Sequence, residues 1–191
     1  MKRIKQTGLD QVGGKAYHLL KMQAAGLPIP DFAVFAFDFF QKSASSADLE
    51  RMEAAYRSGE LGLSQLSQQL QDWAKEQFAQ EDLTVAENWI RQEFSQTDSR
   101  FAVRSSATIE DGKASSFAGQ FESQLNVKLE GLKEAIQATL LSLYQESALS
   151  YLFEQGLSLK QAQMICLVQI MQEGDLSGIY FTANPKGILN E

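Results

Sequence analysis

The spacing of hydrophobic residues in the first half of the chain predicts helices interrupted by one strand. Apolar residues recur at helical spacing near the N-terminus and predict a helix over about residues 14–25, with Gly26 and Pro28 as its stop. An aromatic run bounded by prolines predicts a strand at residues 32–37. Residues 38–95 carry apolar stripes at helical spacing, so we expect mainly helices with a packing role there.

The pattern changes to short strands after residue 100. Residues 101–105 form a short apolar run, and residues 121–127 alternate apolar and polar side chains, which is typical of a strand. Between them, residues 106–117 are small and polar. The sequence therefore predicts two strands that flank a pliable loop.

A broad apolar face predicts one long helix over about residues 130–155, ended by Gly156. Two later runs, residues 162–171 and 176–183, are apolar at odd and even positions alike, as in strands covered on both faces. Gly174-Asp175 between them predicts a hairpin turn. Helices and strands together predict an α+β fold.

Composition and charge exclude several function classes. The 191 residues contain 17 Lys and Arg against 24 Asp and Glu, a net charge of −7, so the chain as a whole should be repelled by nucleic acid and anionic membranes. No apolar run approaches the ~18 residues of a membrane span. No apolar region follows the basic residues at the N-terminus, so we do not expect a secretory signal there. The single cysteine, Cys166, cannot form an internal disulfide, which favours a reducing, cytoplasmic setting.

The first candidate for chemistry is the sequence Gly13-Gly14-Lys15 at the start of the first predicted helix. Backbone N–H groups and the positive end of the helix dipole lie at such a position, and together with a lysine they suit a phosphate chain. The spacing of a Walker A motif is absent. The alternative is a glycine turn followed by a solvated lysine.

Arg104 is the second candidate, because an arginine on a short apolar strand needs a partner once it is partly buried. Its guanidinium fork matches phosphate oxygens in pairs. The alternative is a salt bridge to Glu110, Asp111 or Glu122. The small-residue stretch 105–119 either folds over phosphates or is a flexible connection.

The third candidate is the end of the apolar run near residue 170. Its backbone beside Gln169 could read an adenine edge while Met171 covers the ring, although a methionine in such a place is more often part of the core. His18 and Cys166 lack partners for metal binding or nucleophilic catalysis in the sequence, and we assign both of them packing or surface roles.

Three stretches of the chain resemble the N-terminal nucleotide-binding domain of phosphoenolpyruvate synthases and pyruvate phosphate dikinases: residues 12–30, 101–127 and 167–185. Rifampin phosphotransferases and glucan water dikinases share this type of domain. The resemblance implies the N-terminal portion of an ATP-grasp-like domain with a mixed or antiparallel sheet and flanking helices. It also implies two parts, a helix-rich subdomain at residues 1–100 and an α+β subdomain at residues 101–191.

The resemblance further implies that six residues of this chain bind ATP, and that none is catalytic by itself. Those expected beside the phosphates are Lys15, Arg104, Gly119 and Ser123. Those expected at the adenine are Gln169 and Met171, together with the backbone at Gln172.

The function implied by the resemblance is transfer of a phosphoryl group from ATP through a histidine on a separate swivelling domain. Mg²⁺ ligands and an acceptor-binding domain are expected beyond Glu191, so we expect an N-terminal part of a longer protein that is inactive alone. One departure is the absence, over residues 141–152, of two arginines typical of the family. A non-catalytic nucleotide-binding or regulatory module, and an enzyme with a rifampin-type acceptor, are therefore alternatives.

Overall fold

The computed structural model of the chain describes residues 2–4, 9–37, 43–80, 88, 90–92, 99–108, 121, 123–176 and 178. The strands are β1 (Lys2–Ile4), β2 (Phe32–Ala36), β3 (Phe101–Ala107), β4 (Ser123–Val127) and β5 (Met164–Ile170). The helices are α1 (Leu9–Ala24), α2 (Ser43–Arg57), α3 (Leu63–Ala79), α4 (Leu132–Leu141) and α5 (Glu146–Glu154), with 3₁₀ turns at Leu129–Gly131 and Ser142–Tyr144.

The five strands form one sheet in the order β1-β2-β5-β3-β4, and every pairing between them is antiparallel. The strand β5 is central because its residues pair with β2 on one side and with β3 on the other. Its first five residues are buried, which confirms the prediction of a strand covered on both faces. The predicted α+β class and antiparallel sheet are confirmed.

One face of the sheet is closed by α2, α3, α4 and α5. We call it the closed face. Alternate side chains of β3 and β5 enter its hydrophobic core, among them Phe101, Val103, Cys166 and Val168. Burial raises the pKa of the Cys166 thiol, so this cysteine is held as a neutral, inert group. The hydrophobic core on the closed face is the larger of the two cores in the described part of the chain.

The opposite face of the sheet is covered by α1, and the helix and the sheet enclose a second, smaller hydrophobic core between them. We call it the α1 face. The buried residues that α1 and the sheet contribute to it are Val12, Ala16, Phe32, Val34, Ala36, Ile165 and Leu167. Since Ile165 and Leu167 alternate along β5 with Cys166 and Val168, one strand supplies both cores.

The prediction of a single helix over residues 130–155 is wrong. The helix α4 ends at Leu141, a 3₁₀ turn follows, and Gln145 is extended before α5 begins. Within the turn, the buried Ser142 hydroxyl donates to the Thr139 carbonyl at 2.7 Å, which supports a tighter turn at this point. The predicted stop at Gly156 is confirmed by a φ of 70°.

Other sequence predictions hold with shifted boundaries. The helix predicted from about Gly14 is present, but α1 also includes a short helical segment from Leu9 that precedes a break at Gly13. The strand predicted at 101–105 continues to Ala107, so residues 105–107 are not loop. The strand predicted from 121 begins at Ser123. The predicted strand at 176–183 lies almost entirely outside the described residues. No helix among the described residues is both long and apolar enough to cross a membrane.

Candidate functional site

The helix α1 is interrupted at Gly13, the first residue of the glycine-glycine-lysine sequence. Gly13 has φ 68° and ψ 167°, so regular helix starts again only after it. A Cβ at this position would collide with the carbonyl oxygen of Ala107 and would lie 2.8 Å from the Ser106 hydroxyl. Glycine is therefore needed here both for its backbone conformation and for the close approach to β3.

The Ser106 side chain holds this interruption against the sheet. Its hydroxyl donates to the Val12 carbonyl at 2.6 Å and accepts from the Ala16 amide N–H at 3.2 Å. Val12 and Ala16 stand on opposite sides of the break at Gly13. A single buried hydroxyl thus joins both sides of the break in α1 to β3.

Arg104 lies two residues before Ser106 and therefore on the same face of β3. It is the one exposed residue in a strand whose other six residues are buried. It makes no ion pair or side-chain hydrogen bond with any described residue. The partners proposed as an alternative, Glu110, Asp111 and Glu122, lie outside the described part of the chain. A salt bridge from Arg104 to one of these carboxylates therefore stays a prediction, as does its contact with a phosphate.

Two more candidate residues share the face of Arg104. Ser123 on β4 is paired directly with Arg104 and is exposed. On the other side, Arg104 pairs with Leu167, and the half-buried Gln169 follows two residues later on the same side of β5. The register thus places a cation, a hydroxyl and an amide on neighbouring strands of one face.

Met171 follows the end of β5. Its amide N–H donates to the Arg100 carbonyl at 2.8 Å, so the backbone continues beside β3. Its sulfur accepts a hydrogen bond from the Asn126 amide at 3.1 Å, so the half-buried side chain reaches across β3 to β4. The thioether therefore lies at the edge of the same group of strands and is not part of either buried core.

Lys15 is half-buried in the first turn after the break, between Gly14 and Ala16. The amide of Ala16, the next residue, is bound to Ser106, so the backbone at Lys15 lies close to β3, on which Arg104 is two positions before Ser106. Gly119 lies outside the described residues. The positive end of the helix that begins after Gly13 adds to the cationic character of this corner.

The described residues contain no cluster of three or more His, Cys, Asp or Glu side chains able to hold a metal ion. A surface depression of about 540 Å³ exists elsewhere, on α2 and α3, which pack against the closed face. Its lining includes Arg51, Glu60 and Leu61. It is therefore separate from the α1 face, where the cation, hydroxyl and amide lie together.

Comparison with known protein families was made for the whole chain. Residues 9–191 match the family model described as "Pyruvate phosphate dikinase, AMP/ATP-binding domain". The chain belongs to this family. The match extends through the interrupted α1, the strand of Arg104 and the central strand β5.

Individual relatives in the dikinase family are similar over nearly the whole chain. It is 32% identical over 191 residues to the phosphoenolpyruvate synthase of Escherichia coli, with 91% of the chain covered. It is 30% identical over 187 residues to a probable phosphoenolpyruvate synthase of Methanocaldococcus jannaschii, with 93% covered. A rifampicin phosphotransferase of Bacillus subtilis is 28% identical over 189 residues, with 95% covered.

The chain spans only a part of these relatives. It covers 24% of the Escherichia coli protein, 16% of the Methanocaldococcus protein and 22% of the Bacillus protein. The similarity therefore concerns the AMP/ATP-binding domain of the family.

Sequence reasoning did not single out Ser106 as the residue that joins the two sides of the break in α1 to β3. Two signals pointed to it. A glycine at the start of a helix has no side chain with which to cap the helix, and alternation along β3 puts Ser106 on the face of Arg104. Neither signal identifies the partner, because the contact joins residues 90 and 94 positions apart.

Proposed function

We propose that this chain binds ATP as the nucleotide-binding part of a phosphoenolpyruvate synthase-like phosphotransferase. The observation that carries the proposal is the convergence on one sheet face of the lysine-bearing helix start, anchored at Ser106, with the exposed Arg104. Membership of the AMP/ATP-binding domain family supports the same ligand. Phosphate is the part of ATP that two cationic side chains bind best.

In this proposal Lys15 and Arg104 contact the phosphate chain from two sides. Arg104 offers paired N–H donors, and Lys15 offers a compact charge at a helix start. Ser123, paired with Arg104, donates its hydroxyl to a phosphate oxygen. Gly119 lies outside the described residues, and its place beside the phosphates stays a prediction.

The adenine lies at the other end of the same face. Gln169 offers an amide, and the backbone that follows β5 offers peptide groups for the base edge. The Met171 thioether packs on the ring plane, a role for which its polarisable sulfur is suited. This arrangement orders the ligand from base to phosphates across β5 and β3.

The larger scheme is also a proposal. It comprises an ATP-grasp arrangement, division into subdomains at residues 1–100 and 101–191, a cytoplasmic location, and a phosphohistidine domain and acceptor-binding domain as partners. Mg²⁺ ligands beyond Glu191 are part of the same proposal and rest on the resemblance to the family. Catalysis of phosphoryl transfer depends mostly on positioning the reactants and stabilising their charge. In this proposal the chain contributes by binding and positioning ATP, the phosphoryl donor.

Rifampicin-type acceptors are a second candidate. Rifampicin phosphotransferases from Bacillus subtilis and Streptomyces sviceus are 28% and 29% identical to the chain, close to the values for the synthases. A non-catalytic module of the same fold remains the third, supported by the absence of the two arginines over residues 141–152. All three share the ATP site described above.

The test is an ATP titration of the natural full-length protein that carries this sequence, in the presence of Mg²⁺. Loss of a charge-assisted contact costs about 1.5–3 kcal/mol, so Lys15→Ala and Arg104→Ala should each weaken ATP binding by about 10- to 150-fold. Lys21→Ala is the matched control, because Lys21 lies on the same helix and stacks on Tyr17 at 5.5 Å. Unchanged affinity in both site variants would refute the assignment.

A further inference from the structure

The helix that begins after Gly13 lacks a cap of its own. A residue before a helix ordinarily accepts, through its side chain, the N–H of the second or third helical residue. Glycine has no side chain with which to do this, and Gly13 occupies that position. Ala16 is the third residue of the helix and is fully buried, so its N–H cannot donate a hydrogen bond to water instead.

Ser106 takes over the capping role from another element. Its hydroxyl oxygen accepts the Ala16 N–H at 3.2 Å, as a serine at the cap position itself would do. The hydroxyl proton is also used, since it is donated to the Val12 carbonyl at 2.6 Å. Ser106 is fully buried, and both bonds are made inside the protein.

These bonds connect the two cationic residues of the proposed site. Lys15 immediately precedes Ala16, and Arg104 stands two residues before Ser106 on the same side of β3. The close approach of Gly13 to the Ala107 carbonyl fixes the same turn from the backbone side. Lys15 and Arg104 are therefore connected through the hydroxyl of Ser106 and the three residues of β3 from Arg104 to Ser106.

We propose that Ser106 is a positioning residue that holds the helix start of Lys15 at a fixed place relative to Arg104, and so sets the grip on the phosphates of the nucleotide. The proposal rests on the proposed function for its ligand. Ser106 does not contact the nucleotide in this scheme. It acts through Lys15.

The neighbouring Ser105 provides a matched control. Ser105 is also fully buried, but it lies on the closed face of the sheet. Its hydroxyl has no hydrogen-bond partner among the described residues. Substitution of either serine by alanine removes one buried oxygen from the same strand. Only the substitution at 106 removes bonds to α1.

The first experiment measures ATP affinity in the full-length protein for Ser106→Ala, Ser105→Ala, Lys15→Ala and the double variant of residues 15 and 106. Loss of a neutral hydrogen bond changes an equilibrium constant by about 2- to 13-fold, and we expect Ser106→Ala to weaken ATP binding by a factor within this range. Ser105→Ala should not change it. Once Lys15 is absent, Ser106→Ala should have no further effect, since Ser106 acts through that residue.

The second measurement needs no nucleotide. Hydrogen exchange of the Ala16 amide should be at least about 10-fold faster in Ser106→Ala, because its buried acceptor is gone, and unchanged in Ser105→Ala. Ser106→Cys keeps a weaker donor and acceptor in a similar volume and should fall between wild type and alanine. It also serves if the alanine variant does not fold.

The outcomes separate the two proposals. If Lys15→Ala and Arg104→Ala both leave ATP affinity unchanged, the proposed function fails, and Ala16 exchange alone then decides whether Ser106 holds the turn at Gly13. If Ser106→Ala weakens ATP binding by the same factor with and without Lys15, Ser106 has only a general structural role and the inference is overturned. Unchanged Ala16 exchange in Ser106→Ala overturns it as well.

Discussion

The two faces of the sheet differ in how completely they are covered. On the closed face, β3 and β5 contribute residues such as Phe101, Val103 and Val168 to the core that they share with α2, α3, α4 and α5, and all three residues are buried. On the α1 face the same strands present Arg104 and Gln169, which stay at least partly accessible. Because side chains alternate along a strand, one short sequence serves both purposes: stability on one side and ligand contact on the other.

The contrast is sharpest at the adjacent serines of β3. Ser105 enters the closed core without a hydrogen-bond partner among the described residues, whereas Ser106 uses both its proton and its oxygen to hold α1. A buried polar group that lacks a partner costs stability, and one that makes two bonds can fix a geometry. Substitutions on the two faces should therefore separate stability from ligand affinity.

The largest effect on stability is expected from the closed face. Leu140 of α4 is 2% exposed, and Leu140→Ala should lower the free energy of unfolding by about 2–5 kcal/mol through lost burial and a cavity. ATP affinity of the folded protein should stay unchanged. Urea unfolding and ATP titration measure the two quantities. A weakened affinity at an unchanged urea midpoint would contradict the separation of the faces.

A smaller loss of unfolding free energy is expected at the contact between α2 and the segment that precedes β5. The buried Glu53 carboxylate accepts the Leu159 amide N–H at 2.8 Å and pairs with Arg57 at 2.7 Å. Glu53→Ala leaves that buried N–H without its acceptor, which should cost about 1–3 kcal/mol of unfolding free energy. Urea unfolding measures it, with the exposed Glu60→Ala as control. Equal midpoints for both variants would show that the contact is not important.

The reverse behaviour is expected from Arg104→Leu on the α1 face. Arg104 is exposed and lacks a partner among the described residues, so its loss should change the unfolding free energy by no more than about 0.5 kcal/mol. ATP affinity should nevertheless fall as in Arg104→Ala. Thermal unfolding without nucleotide and ATP titration test this pair of results. A marked loss of stability would mean that Arg104 supports the fold.

The smallest effect is expected at the exposed pair of Glu50 and Lys160. A hydrogen bond from Lys160 at 2.9 Å, with the attraction of its charge, lowers the pKa of the Glu50 carboxyl. A carboxyl with a lowered pKa in the folded state stabilises the fold above its unfolded pKa, and this contribution disappears as the pH falls through the folded value. Glu50→Gln should thus lower the melting temperature slightly at neutral pH and leave it unchanged in strong acid. A difference that grows on acidification would reverse this sign.

Local patterns were sufficient to predict most of the elements. The strand before Val127, the two-sided apolar run of β5 and the stop at Gly156 depend on neighbours in the sequence, and the structure confirms them. The alternation within β4 does not produce a buried apolar side, because Leu125 is 59% exposed and the pairing with β3 shifts register. The single helix over residues 130–155 was wrong because apolar spacing continues through the 3₁₀ turn, although the backbone does not remain helical.

The candidate site was predictable only in its residue types. A lysine after two glycines and an arginine in an apolar strand suggested phosphate, but their relative placement depends on the register of β3 and on the bonds of Ser106. Register and cross-chain capping join residues far apart in sequence, and no local pattern encodes them. The register of Ser123 opposite Arg104 was for the same reason not foreseeable.

The central place of β5 has a consequence for how this protein is made. Both β2 and β3 pair with a strand that emerges from the ribosome more than sixty residues after β3 begins. Until residue 170 is synthesised, the edges that will receive β5 are open to other chains. Productive folding therefore waits for a late segment to be inserted between two earlier ones, a nonlocal step that is intrinsically slow.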